Sequence, residues 1–215
     1  MARSVFFSFH YDDVKSFRVN VVRNSNIVKH QASGNIFSDG SLWEEAKIKT
    51  KKSLHNLIED VGLYGTSVTS VLIGSNTFER PFVRYEIIKS FELGKGLIGV
   101  YINRIRSKHG YIDAKGRNPF DYVGLTIGEN GRVNFFEFVN RKWIPFKELT
   151  EIKNRKSNTI YFEEQTPFQK FWGTGKEKYR FYKFSEFFAS YCWINDDGTK
   201  NFANWIEDAH SGYII

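Results

Sequence analysis

The stretch that decides the fold is Ser67–Asn103, which reads SVTSVLIGSNTFERPFVRYEIIKSFELGKGLIGVYIN. Its first part, 68–73, is a short apolar run that stops at Gly74-Ser75, as a buried parallel strand does. Apolar residues then recur at helical spacing as far as the Gly94-Lys95-Gly96 break: Val83, Ile87, Ile88 and Phe91. A second apolar run covers 97–102. This order predicts a βαβ unit with parallel strands and a right-handed crossover.

The N-terminal run Ser4–Phe9 is also apolar and aromatic, and it predicts the first strand, at the centre of the sheet. We expect residues 4–9, 67–73 and 96–102 to be neighbouring parallel strands, because continuous apolar runs need cover on both faces. The predicted fold class is therefore α/β, a flavodoxin-like parallel sheet of about five strands flanked by helices.

Three segments lie between the first strand and the βαβ unit. Phe17–Arg23 fits either a strand or a helix, and the polar residues 24–40 predict a long loop. Ser41 with Glu44 forms a capping box, which predicts the start of a helix that continues to Val61.

The C-terminal part of the chain has a different sequence pattern. Residues 125–146 alternate apolar and polar and contain Asn130-Gly131, which predicts two or three antiparallel strands, as an insertion or as an edge extension of the sheet. Phe181–Ile194 and Asn201–Ala209 predict two closing helices, joined by a turn at Asp196–Gly198.

A chain of 215 residues is long enough to bury a core of its own. We predict the main α/β core over 1–124 and, packed on the same domain, the antiparallel extension and closing helices over 125–215.

The single cysteine, Cys192, excludes an internal disulfide and fits a reducing cytosol. No stretch has the form of a signal peptide or approaches the roughly 20 apolar residues of a membrane span, so we expect a cytoplasmic protein with no membrane partner.

The charge pattern argues against nucleic acid as a partner. Lys and Arg number 31 against 24 Asp and Glu, for a net charge of +7, but the basic residues are scattered. The densest basic run, 47–52, follows two glutamates on one predicted helix, which is typical of a solvated helix face. Because no stripe of cations is interleaved with aromatic residues, we predict no tight binding of nucleic acid.

Several chemistries lack their motif in this sequence. One cysteine and five histidines with no His-x-x-x-His pair exclude the common zinc patterns, and there is neither a Walker A motif nor a nucleophile elbow. A response-regulator receiver needs an Asp at the end of its third strand, whereas the matching strand here ends Ile73-Gly74-Ser75. We predict no metal site and no bound cofactor.

Polar and aromatic residues gather where the predicted strands end. Parallel sheets bind ligands outside the carboxyl ends of their strands. We therefore expect one pocket there, lined by Ser8, Phe9, His10 and Asp12 after the first strand, by Gly74, Ser75 and Asn76 after the second, and by Asn103 after the third. The plain alternative for 10–13 is a capped turn before a helix.

Helical phase places Glu86 beside this cleft. With Ile87 at the centre of the buried face, Glu86 falls at its border, in line with Phe82 one turn earlier. The plain alternative is an ordinary glutamate on a solvated helix face, because charged side chains are mostly exposed.

Residues 75–87, SNTFERPFVRYEI, resemble the stretch of TIR domains in which a Ser-rich strand end is followed by Ser-x-Trp-Cys-x-x-Glu-Leu. The Glu of that motif falls on Glu86, its Trp on Phe82 and its Cys on Val83. The run from Val5 to about Gly124 resembles more closely the TIR-like proteins of the bacterial Thoeris anti-phage system, the ThsB type, through VFFSFHYDDV, RYEIIKS and NPFDYVG among other pieces.

The resemblance implies an enzyme that cleaves the nicotinamide–ribose bond of NAD and makes a cyclic ADP-ribose isomer. NAD is then a substrate rather than a cofactor, and Glu86 is the catalytic residue. Phe9 and Phe82 would stack on the nicotinamide or ribose, and amides at 74–77, expected at a helix N-terminus, would hold the pyrophosphate.

Beyond the reaction, the resemblance implies a phage-derived trigger and a separate effector protein reached through the diffusible product. It leaves homo-oligomer formation open. The alternative function is a catalytically silent TIR-like module that binds other proteins, and Phe82 in place of the Trp favours that alternative.

Overall fold

The computed structural model describes residues 3–25, 63, 65–128, 131–146 and 180–212. Within these residues the strands are β1 (Val5–Ser8), β2 (Val68–Ile73), β3 (Gly96–Tyr101), β4 (Val123–Ile127), β5 (Val133–Val139), β6 (Lys142–Pro145), β7 (Phe181–Lys183) and β8 (Ser190–Cys192). The α-helices are α1 (Tyr11–Lys15), α2 (Arg18–Arg23), α3 (Pro81–Glu92) and α4 (Gly198–Ser211). Most of the loop predicted at 24–40 and the helix predicted from Ser41 to Val61 lie outside the described residues.

The first sheet is parallel and has the strand order β1-β2-β3-β8. Val5 pairs with Val68, and Val68 pairs in turn with Gly96, so the three strands predicted to be parallel neighbours are confirmed. Among the described strands β1 pairs with β2 alone, and its predicted place at the centre of the sheet stays a prediction.

Both faces of this sheet are buried, which explains its continuous apolar runs. On one face the core joins side chains of the sheet to α3: Phe6, Val71, Ile73 and Leu97 with Val83, Ile87 and Phe91. On the other face it joins the sheet to α2 and α4: Phe7, Leu72 and Val100 with Val19, Phe202 and Ile206. Residues 17–23, which fitted either a strand or a helix, contain α2.

The second sheet is antiparallel, with the order β6-β5-β4-β7. It confirms the antiparallel strands predicted at 125–146 and shows that they form a sheet of their own instead of extending the first. This sheet packs on α3: Phe91 contacts Phe135 of β5 at 5.6 Å between ring centroids, and Tyr85 stacks on Phe146. Helix α3 therefore lies between the two sheets.

The helix predicted for Phe181–Ile194 is wrong. This segment contains β7, a 3₁₀ turn at Phe184–Glu186 and β8, and it passes from the antiparallel sheet to the parallel one. Its many aromatic residues pack into the core of either sheet, and pairing with distant strands overrides local helical spacing. The second closing helix is confirmed as α4, after a turn in which Asp197 has a φ of 49°. No helix in the described ranges is long and apolar enough to cross a membrane.

Candidate active site

Glu86 lies on α3 and is 2% exposed. The predicted position at the border of the buried face is wrong, because helical phase considers one packing partner and α3 has two. The parallel sheet covers one side of the helix, and the antiparallel sheet covers another through the Arg84–Glu137 ion pair, 3.1 Å from Nε to Oε2. Residues 83–91 are consequently all buried.

Burial raises the pKa of the Glu86 carboxyl to about 8, and the Ser8 hydroxyl partly opposes this shift. Side chains alternate along a strand, so Ser8 shares with Phe6 the face of the sheet that α3 covers. Its Oγ is buried and makes no regular hydrogen bond to the described residues. The Glu86 carboxyl is therefore protonated at neutral pH, and a nearby cation would favour its ionised form.

The turn after β1 places two adjacent aspartates in different surroundings. His10 is the N-cap of α1, and its Nδ1 accepts a hydrogen bond from the Asp12 amide at 3.0 Å, so the capped turn is confirmed. Asp12 is exposed, and a hydrogen bond from Lys15 at 3.1 Å lowers the pKa of its carboxyl. Asp12 was the predicted binding residue, but the buried member of the pair is Asp13.

Asp13 lies against the end of β2. Its carboxylate packs on Gly74 so closely that a Cβ at that position would collide with it. Burial raises the pKa of Asp13 to about 6, while Arg18 lowers it and Asp113 raises it further. Asp13 was not among the predicted site residues, because no sequence pattern distinguishes two adjacent aspartates before the fold is known.

The segment after β2 differs from the predicted helix N-terminus. A 3₁₀ turn at Thr77–Glu79 follows the strand, and α3 begins only at Pro81, which has no N–H to donate. The Gly74 amide donates to Thr77 Oγ1 at 2.9 Å. Gly116 packs on the Gly74 carbonyl without room for a Cβ. Ser75 is half-buried and Asn76 is exposed.

The segment after β3 is held by a buried arginine. Arg18 donates from Nε to the Ile105 carbonyl at 2.9 Å, and its Nη1 lies 2.6 Å from the Asp113 carboxylate. Asn103 bonds to the backbone of Asp113, donating from Nδ2 at 3.3 Å and accepting at its carbonyl at 2.9 Å. These contacts fix the loop that follows β3.

The two predicted aromatic residues are on different faces of the sheet. Phe82 is partly buried at the edge of the core that contains α3, on the side of Glu86. Phe9 belongs to the opposite core, with Val19 and Val22. The structure thus brings Ser8 and Glu86 together and places Phe9 across the sheet from α3.

Comparison with known proteins identifies the family. Residues 6–107 match the family model described as Thoeris protein ThsB, TIR-like domain. A curated relative from Bacillus cereus (strain MSX-D12) is 43% identical over 208 residues, which is 96% of this chain and 100% of the relative. That relative is named "Putative cyclic ADP-D-ribose synthase ThsB1".

The chain belongs to the ThsB family of TIR-like proteins.

The part of this ThsB-type chain that matches the family model holds β1, β2, β3 and α3, and with them Ser8, Asp13 and Glu86. The antiparallel sheet lies beyond residue 107, yet the identity to the Bacillus cereus relative extends over nearly the whole chain. The resemblance identified from the sequence is therefore confirmed, as is the α/β TIR-like fold.

Proposed function

We propose that this chain cleaves the nicotinamide–ribose bond of NAD and produces a cyclic ADP-ribose isomer in Thoeris anti-phage defence. The observation that carries the proposal is the buried Glu86, which stands next to the end of β1 with the Ser8 hydroxyl as its polar neighbour. The name of the Bacillus cereus relative supports the same reaction class.

The chemistry requires one well-placed carboxylate. The nicotinamide ring of NAD is cationic, so it leaves as a neutral base and needs no proton from an acid. The ribose then carries oxocarbenium character, as in glycoside hydrolysis. A carboxylate at Glu86 stabilises this cation, and the low dielectric of a buried site strengthens the attraction.

The raised pKa of Glu86 couples ionisation to substrate binding. Before the substrate binds, the carboxyl holds its proton at neutral pH, because burial raises its pKa to about 8. A nicotinamide cation bound nearby favours the carboxylate, so the proton leaves when the substrate arrives. The charge is then present when the bond to nicotinamide breaks.

Cyclisation results if an ADP-ribose hydroxyl, and not water, attacks the ribose cation. The burial of Glu86 and Ser8 between β1 and α3 supports this outcome, because it limits access of water to the carboxyl. In the proposed pathway a phage-derived trigger starts the reaction, and the product diffuses to a separate effector protein.

The alternative is a catalytically silent module that binds other proteins. Two observations favour it: Phe82 replaces the Trp of the TIR motif, and the Gly74 amide is occupied by Thr77 instead of being available to a pyrophosphate. In that case the buried Glu86 is a structural residue of α3.

The test is incubation of the full chain with NAD, alone and in extracts of phage-infected cells. We expect free nicotinamide and a cyclic product from the wild type and from the exposed-site control Glu79→Gln. Glu86→Gln should give about two to three orders of magnitude less of both. If no nicotinamide forms with the infected extract, while the protein is shown to be folded, the silent module is favoured.

A further inference from the structure

A cavity of about 430 Å³ lies beside the strand-end cleft, and Glu86 is not among the described residues that line it. Its walls come from the end of β3, from the segment 116–122 and from β5, β6 and β7. Strand β3 stands two strands from β1, which is about 10 Å at the usual strand spacing. The volume falls within the range of small-molecule sites, about 300–1,000 Å³.

The walls of this cavity are rich in aromatic rings. Phe138 and Trp143 are cross-strand partners on β5 and β6, with ring centroids 5.3 Å apart, and Tyr122 meets Phe138 edge-on at 5.7 Å. Tyr101 lines the cavity from the end of β3. Such rings bind a flat heterocycle by stacking, which is tolerant of the exact base.

The charged side chains that line the cavity favour the binding of an anion. Arg117 and Lys183 contribute two cations, and Lys115 lies just outside, with its Nζ 4.4 Å from the centre of the Tyr101 ring. Arg117 donates to the Tyr122 hydroxyl at 2.8 Å, which holds a guanidinium beside an aromatic wall. The lining has one carboxylate among its described residues, Asp121, so its net charge is positive.

Asp121 supplies an acceptor for a neutral part of the ligand. Its Oδ1 accepts a hydrogen bond from the Ser185 hydroxyl at 2.7 Å. Its other oxygen makes no hydrogen bond to the described residues, and a carboxylate accepts well from an amino group or a ribose hydroxyl.

We propose that this cavity binds an adenine nucleotide. The adenine ring stacks between the aromatic walls, the phosphates lie at Arg117 and Lys183, and Asp121 accepts from the adenine amino group or from the ribose. The choice of adenine among the bases rests on the proposed function, whose substrate contains an adenosine diphosphate half. The same chemistry could come from that half of NAD or from a free adenine nucleotide.

One contact connects the cavity to the predicted cleft. Gly116 lines the cavity and packs directly on the carbonyl of Gly74 at the end of β2. A nucleotide in the cavity therefore lies next to the strand ends, and a dinucleotide has the length to reach from it towards β1.

The test is calorimetric titration of ADP into the full chain and its variants. We expect the Kd for ADP to rise about tenfold or more in Trp143→Ala, since stacking of a base on an aromatic ring is lost. We expect a similar rise in Arg117→Gln, since a phosphate contact is lost. Arg117 is an exposed residue, so this variant carries the test even if Trp143→Ala does not fold.

Two matched controls lie outside the cavity. Tyr111→Ala removes an aromatic residue that is 74% exposed, and Arg132→Gln removes an exposed cation. Both should bind ADP as the wild type does. The proposal is overturned if ADP does not bind at millimolar concentration, if all variants bind it equally, or if inorganic pyrophosphate binds as tightly as ADP.

Competition distinguishes the two sources of the nucleotide. If the site holds the adenosine half of NAD, ADP competes with NAD and Arg117→Gln raises KM for NAD. If it holds a free nucleotide, ADP binds without competition. The titration requires no turnover, so a chain that binds ADP as predicted but does not cleave NAD overturns the proposed function alone.

Discussion

The substitution Glu86→Gln tests whether the buried carboxyl of Glu86, to which we assign a catalytic role, lowers the stability of the folded protein. Gln keeps the shape of the side chain and removes its ability to ionise. Burial raises the pKa of Glu86 from 4.5 to about 8 in the folded protein. Between these values the folded state holds a proton that the unfolded state has lost, so this residue lowers the free energy of unfolding as pH rises.

The size of this change in the free energy of unfolding follows from the difference between the folded and unfolded pKa values of Glu86. A pH of 7 is about 2.5 units above the pKa of 4.5 that the carboxyl has in the unfolded chain. At about 1.4 kcal/mol per unit, the free energy of unfolding is lowered by about 3 kcal/mol. Gln at this site does not titrate. The difference in free energy of unfolding between variant and wild type should therefore shift by about 3 kcal/mol in favour of the variant from pH 4.5 to pH 7.

The assay is denaturant unfolding of both proteins at several pH values. Taking the difference between the two proteins removes the contribution of other titrating groups, such as Asp13. Glu79→Gln is the matched control, because Glu79 is exposed and its variant should track the wild type. Glu92 is unsuitable as a control, since its carboxylate is buried 2.8 Å from Lys89 Nζ. A difference between Glu86→Gln and wild type that stays constant from pH 4.5 to pH 8 would refute the raised pKa.

Three further substitutions test the surroundings of the site. Asp13→Asn should remove a fall in stability between about pH 4 and pH 6, because burial raises the pKa of Asp13 from 3.8 to about 6, and unfolding curves over that range check it. Gly74→Ala should destabilise the fold by about 1–3 kcal/mol, because its Cβ meets the Asp13 carboxylate, whereas Gly128→Ala has room and should change little in the same denaturant titration. Glu137→Ala should cost about 3–5 kcal/mol, because it leaves the Arg84 guanidinium buried without its ion-pair partner, and an unchanged denaturation midpoint would contradict this.

The βαβ unit could be predicted from the sequence because its determinants are local. The runs 68–73 and 97–102 are mostly apolar and lack a regular polar alternation, and the spacing from Val83 to Phe91 is helical. Strand, helix and strand therefore each have a pattern of their own. The capped turn at His10 likewise depends on neighbouring residues.

The parts that were missed depend on contacts between distant residues. Strand β8 forms because Ser190–Cys192 pair with β3, about ninety residues earlier in the chain, and no local pattern in 181–194 indicates that pairing. Glu86 is buried against Ser8 of β1, a contact between distant segments that helical phase alone does not reveal. The choice between Asp12 and Asp13 depends in the same way on Gly74, which approaches Asp13 only in the folded chain.

The most direct test of the central claim is mass spectrometry of nucleotides from phage-infected cells that express the wild type, Glu86→Gln or Glu79→Gln. We expect a product with the mass of NAD less nicotinamide in cells with the wild type or Glu79→Gln. Cells with Glu86→Gln should contain about two to three orders of magnitude less, the usual effect of removing one preorganised electrostatic group. A Glu86→Gln protein that is folded and still makes the wild-type amount of this product would contradict the catalytic role of Glu86.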